Sequence, residues 1–196
     1  MPKRMALVAL LIIVVSGQVW AGTATGVTGL IHIPTTSTLT SGLMETSIHA
    51  FGGQAIASVT IAVAPQVEVG VYTSNRYGPL GLTVKGVVVP EDEDMPGIAV
   101  GLDGTTTYIV MSRNLETAHG YLGVGGRFGG IFGGLAMELR SADNRLSNTK
   151  TTLIMEYDGK AVNFGLRMHF ANNIYFDAAL LNIEKMMVGI TLQTGF

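Results

Sequence analysis

From Leu43 to Phe196 apolar and polar residues alternate in short runs at 43–52, 56–65, 67–75, 80–90, 96–103, 106–113, 119–128, 131–141, 150–158, 160–171, 174–183 and 187–196. Strand side chains point to opposite faces with period two, so each run predicts a strand with one apolar and one polar face. Helical spacing is hard to find in any of them, and Gly or Pro interrupts every stretch longer than two helical turns. Asp103-Gly104 and Asp158-Gly159 each sit between two runs, a dipeptide suited to a tight hairpin turn. Pro65-Gln66 and Asn172-Asn173 also read as tight connections, with longer loops at 74–79, 90–96, 113–119 and 141–150.

Three runs show how the faces divide. Val162, Phe164, Leu166, Met168 and Phe170 point one way, and Asn163, Gly165, Arg167 and His169 the other. Leu135, Met137 and Leu139 oppose Glu138 and Arg140, and Val67, Val69 and Val71 oppose Glu68, Gly70 and Tyr72. A slip of one residue would exchange the faces and put Arg167 among apolar neighbours, at about 2–4 kcal/mol in a bilayer midplane.

Alternation alone does not separate a soluble sandwich from a membrane barrel; composition bears on the choice. The 196 residues are 47% hydrophobic and 13% charged, with a mean hydropathy of +0.41. Soluble domains carry about 25% charged residues. No exported stretch reaches the roughly 18 apolar residues of a spanning helix. Apolarity without a long apolar run is what barrel strands produce. The expected fold is therefore an all-β, antiparallel transmembrane β-barrel of about 10–12 strands occupying 43–196. A soluble secreted sandwich is the alternative.

The polar face carries acids and bases in near balance: Glu68, Lys85, Asp103, Arg127, Glu138, Arg140, Glu156, Arg167 and Asp177. In a barrel these would pair as a lumenal network, because a lone buried charge is costly. On a sandwich they would simply be solvated.

The start of the chain reads as an address. Lys3 and Arg4 precede an apolar core, Met5 to Val15, spanning only about 16 Å as a helix. Val19-Trp20-Ala21 offers small or modest residues for a signal peptidase, which predicts a leader at 1–21 with cleavage after Ala21. An uncleaved anchor is the alternative. Residues 22–42, Gly- and Thr-rich, form a lead segment before the barrel with room for one short strand. An even strand number puts both barrel ends on the periplasmic side, with most of the long loops there too. The last run alternates through Val188, Ile190 and Leu192 to a terminal Phe196, which resembles the C-terminal signal read by barrel-insertion machinery.

Little in the chain suggests catalysis. There are no cysteines, which excludes a disulfide framework, thiol chemistry and a lipoprotein anchor. His32, His49, His119 and His169 lack metal-site spacing, so neither a metal nor a cofactor is expected. There is no Gly-x-Ser-x-Gly elbow, and the glycines from Gly123 to Gly130 precede no helix. Glu91-Asp92-Glu93-Asp94 reads as a solvated loop or a loose cation site. A net charge of −2 and a pI near 6.0 leave no basic surface for nucleic acid.

The segment Gly29-Leu30-Ile31-His32-Ile33-Pro34-Thr35 resembles the opening of the YjbH family of outer-membrane barrels associated with exopolysaccharide. Further matches follow in order: Val67-Glu68-Val69-Gly70, Lys85, Pro96 to Asp103, Tyr108, Ser112, and the hairpin Glu156 to Arg167. The resemblance implies a non-catalytic outer-membrane barrel assisting exopolysaccharide secretion or surface assembly. Its partners would be outer-membrane lipid, the insertion machinery, the polymer and its export proteins. A passive pore or structural envelope barrel is the second reading. A glycan-binding sandwich is the third, weakened because the one Trp lies in the leader.

Overall fold

The computed structural model describes residues 21–75, 78–139, 150–170 and 173–196. The predicted leader lies outside them except for Ala21, as do Arg140 and Asn172. Twelve strands follow one another: β1 (Leu43–Phe51), β2 (Gln54–Ala64), β3 (Val67–Ser74), β4 (Gly78–Val89), β5 (Gly97–Asp103), β6 (Thr106–Asn114), β7 (His119–Gly125), β8 (Gly130–Leu139), β9 (Lys150–Tyr157), β10 (Val162–Phe170), β11 (Ile174–Leu181) and β12 (Lys185–Gly195). Each pairs antiparallel with the next, and β12 returns to β1, with Leu43 opposite Gly195 and Phe51 opposite Met187. The sheet is a closed barrel, so no strand edge is left unpaired.

All twelve predicted runs are strands, with ends displaced by up to three residues. The 119–128 run stops at Gly125, because Gly126–Phe128 turns into one short 3-10 helix. The tight turns follow their chemistry. Gly52 and Gly53 both adopt positive φ (54° and 74°) between β1 and β2, which suits the twist of a two-residue hairpin. The longer connections 90–96 and 115–118 leave from the end of the barrel where β1 begins and β12 ends.

The two faces are separated sharply. Outward positions such as Ile48, Val100, Leu122, Leu166, Phe176 and Ile190 are each 40–55% exposed around the circumference. Among the described strands, Arg113 is the only Asp, Glu, Lys or Arg with outward parity, and it stands one residue from the end of β6. Inward side chains are buried instead, and bulky rings meet glycine on the neighbouring strand. Tyr72 lies opposite Gly81, Tyr108 opposite Gly101, Phe132 opposite Gly123 and His49 opposite Gly189. A Cβ at Gly189 would sit 2.1 Å from His49 Cδ2, so only glycine admits that ring.

Candidate functional site

The lumen is the site, and its occupant is the chain itself. Residues 21–39 fold back inside the barrel before β1 begins; Ala24, Leu30, Ile33, Thr23, Thr28 and Thr35 are all about 1% exposed or less. The lead segment is thus an internal plug. It holds no regular strand, only bridges of Gly22 with Thr28 and Gly29 with Pro34. Small Gly and Thr residues let it coil in a narrow space. A coil lacks a ladder, however, and its buried amides and carbonyls must find other partners.

Inward charges on the wall supply them. Arg167 donates from Nη1 to the carbonyls of Ala21 (2.9 Å) and Gly29 (2.7 Å), and from Nη2 to those of Gly22 and Leu30 (3.0 Å each). Its Nε donates to Asp177 Oδ1 at 2.7 Å. Glu156 does the converse: its carboxylate accepts the amides of Ile31 (3.0 Å), His32 (3.0 Å) and Ile33 (3.4 Å), and the Asn163 amide at 3.0 Å. Glu68 accepts the Thr28 amide and hydroxyl, both at 2.7 Å, and the Leu39 amide at 3.0 Å. Lys85 pairs with Glu68 at 2.9 Å and donates to the Thr28 carbonyl at 2.6 Å. Asp103 pairs with Arg127 and accepts the Thr25 hydroxyl at 3.0 Å. Charge-assisted bonds of this kind are the strong ones, and low dielectric makes leaving them unmade expensive.

The predicted charges are therefore brought together, with two differences. The expectation was acid pairing with base; Glu156 and Arg167 instead spend most of their bonds on plug backbone, a partner no pairing rule would supply. Glu138 is a correction. It has inward parity opposite Thr152, but it is the last residue but one of β8, exposed at the rim and outside the network of the described residues. Arg140 lies outside the described residues. Val188, Ile190 and Leu192 point outward, each 42–44% exposed, and Phe196 is 78% exposed beyond the end of β12.

The lumen also draws on residues that the pattern of charges does not single out. Glu45 and His49 on β1 are buried, Glu45 receiving the Gly22 amide at 2.6 Å and His49 Nε2 lying 3.1 Å from Asp177. Inward parity in Glu45-Thr46-Ser47-Ile48-His49 was the available signal. Gly134 and Gly165 were another: a Cβ there would lie 2.6 Å from Leu30 Cδ1 and 2.8 Å from Ile31 Cδ1, so these glycines make room for the plug.

Both mouths end on the plug. One is a recess of about 550 Å³ that includes His32, Asp103, Arg127, Asp158 and Lys185. The other, about 710 Å³, has Thr36, Ser37 and Thr38 at its floor and the 90–96 connection at its side. In that connection Glu91 turns inward to accept from Ser112 Oγ and the Asn114 amide, the latter at 2.7 Å, and meets His119 Nε2 at 2.7 Å. Partial burial raises the Glu91 pKa, but these bonds outweigh it and hold the carboxyl below its ordinary 4.5. The Met95 and Asp94 amides likewise lower that of Asp92. The acidic run is thus a structured loop, with Arg113 donating to the carbonyls of Asp92 and Glu93.

Comparison with solved structures decides the fold. KdgM porin superposes with a TM-score of 0.56 at 10% identity, over 79% of this chain and 99% of the porin. In fold, the chain resembles a small porin. KdgM porin in complex with disordered oligogalacturonate gives 0.51 over the same shares at 10% identity. The Acinetobacter baumannii outer membrane protein Omp33 gives 0.41 at 11% identity, over 79% and 97%. No protein-family model matches the chain, and no curated protein matches its sequence. The YjbH resemblance is therefore corrected: its residues are hairpin, wall and plug positions of a barrel whose fold is similar to that of KdgM porin. The exopolysaccharide role inferred from it falls with it.

Proposed function

We propose that the chain is a non-catalytic outer-membrane barrel of the passive-pore class, held closed by its own N-terminal segment. The observation that carries this reading is the plug itself, with Arg167 gathering four of its carbonyls and Glu156 three of its amides. A structural barrel needs only a packed interior. Here the filling is one continuous segment gripped through its backbone, and its withdrawal would leave a charged, water-compatible lumen. Membrane placement is supported by the apolar outer face, which in the described strands confines charge to Arg113 at a strand end, and by strands of 7 to 12 residues. Tilted membrane strands need about 9–11. The porin fold supports the same placement. The ions and small polar solutes that fit such a lumen would pass by diffusion.

Planar-bilayer recording tests the reading. The wild-type barrel is expected to be mostly closed, and a variant lacking residues 23–40 to form steady open channels. Equal steady conductance from both, or none from the deleted form once inserted, would refute it. Recovery of the wild type as a water-soluble protein would do the same.

A further inference from the structure

Buried carboxylates in the lumen outnumber the lysines and arginines that touch them. Among the described residues five buried carboxylates face inward, Glu45, Glu68, Asp103, Glu156 and Asp177. Three cations answer them: Lys85 on Glu68, Arg127 on Asp103 and Arg167 on Asp177. Glu156 has three amides and His32 Nδ1 at 3.3 Å. Glu45, 1% exposed, touches no cation among the described residues and is hydrogen-bonded by Gln193 Nε2 at 2.9 Å and the main-chain nitrogen of Gly22 at 2.6 Å. An ionised carboxylate with two neutral donors in a dry interior is poorly compensated.

That nitrogen directly follows Ala21, the residue after which the leader pattern predicts cleavage. We propose that the mature chain begins at Gly22 and that its α-ammonium is the cation of Glu45, so that leader removal creates the ion pair that locks the plug. Hydrolysis of the Ala21–Gly22 bond adds hydroxyl to the Ala21 carbonyl carbon and hydrogen to the Gly22 nitrogen. The freed amine takes up a proton and becomes a charged donor where a neutral amide stood. The Ala21 carbonyl departs with the leader, and Arg167 Nη1 keeps that of Gly29 at 2.7 Å. Charge-assisted bonds are roughly twice as strong as neutral ones. A chain still carrying its leader would lack this pair, which makes closure of the lumen contingent on export.

The inference rests on the reading of the barrel as an exported membrane protein, and its test separates the two. The barrel is purified from the outer-membrane fraction, its N-terminus sequenced, and the folded protein treated with an amine-acylating reagent. Gly22 is expected to be the first residue. Its amine should resist acylation, as should buried Lys85, while exposed Lys150, Lys160 and Lys185 react; all should react after heat denaturation. In Glu45→Gln the Gly22 amine should react at least about tenfold faster than in the folded wild type, with Lys160 unchanged. A different first residue, a Gly22 amine as reactive as Lys160 in the folded wild type, or an unchanged rate in Glu45→Gln overturns the inference. The first two readouts need no variant. A membrane-located barrel failing them leaves the pore reading standing.

Discussion

Replacing Arg167 by Met removes the central grip on the plug while keeping an unbranched side chain in its place. Arg167 is 4% exposed; in the chain that begins at Gly22 it keeps three plug carbonyls, those of Gly22, Gly29 and Leu30, and binds Asp177, whose remaining partner is His49 at 3.1 Å. Removing one partner of a buried ion pair costs about 3–5 kcal/mol, because the other charge is stranded. The twelve strand ladders do not pass through Arg167's guanidinium, so the loss falls on the plug rather than on the wall. At about 1.4 kcal/mol per decade, the fraction of molecules with the plug released should rise by roughly two to three and a half orders of magnitude. The chain has no cysteine, so Ala24→Cys, buried within the plug, gives a single reporter thiol. Maleimide labelling of this thiol in the folded barrel reads the released population. It should accelerate by at least about a hundredfold in the Arg167→Met background. Equal rates in the two backgrounds, with the barrel still folded by its heat-dependent gel mobility, would show that Arg167 does not hold the plug.

Other outcomes follow from the same geometry. Leu166, outward between Leu153 and Ala178, should tolerate Arg badly: Leu166→Arg is expected to cost about 2–4 kcal/mol and to lower the temperature at which the folded gel band is lost, and an unchanged temperature would count against lipid on that face. Gly189→Ala forces a methyl against the His49 ring and should cost about 1–3 kcal/mol of stability by overpacking, read from the denaturant midpoint. Glu91 has a folded pKa below its ordinary 4.5, so its contribution is full above the unfolded value and is lost as pH falls through the folded one. The Asn114 amide, which donates to Glu91, should therefore lose hydrogen-exchange protection in acid once its rate is normalised to the intrinsic rate at each pH, by no more than the roughly 0.2–1 kcal/mol of a partly exposed pair. In Glu91→Gln that acid-dependent loss of protection should disappear.

The wall was legible because it is governed by local rules. Period two fixes which side chains share a face, turn chemistry fixes where the chain reverses, and apolar faces too extensive for a soluble surface favour a barrel. Val162 to Phe170 shows all of this in nine residues: Asn163, Gly165 and Arg167 are buried inside, and Phe164 and Leu166 are exposed outside. The tertiary structure alone decided what fills the cylinder. Nothing periodic marks residues 21–40, since a plug's partners lie up to 146 positions away, the separation of Ala21 from Arg167. Parity says that Glu156 and Arg167 face inward, but it cannot say whether they meet side chains, water or backbone. Closure of the sheet brings distant strands around one axis, and only that convergence shows the inward charges serving as the hydrogen-bonding partners of the chain's own N-terminal segment.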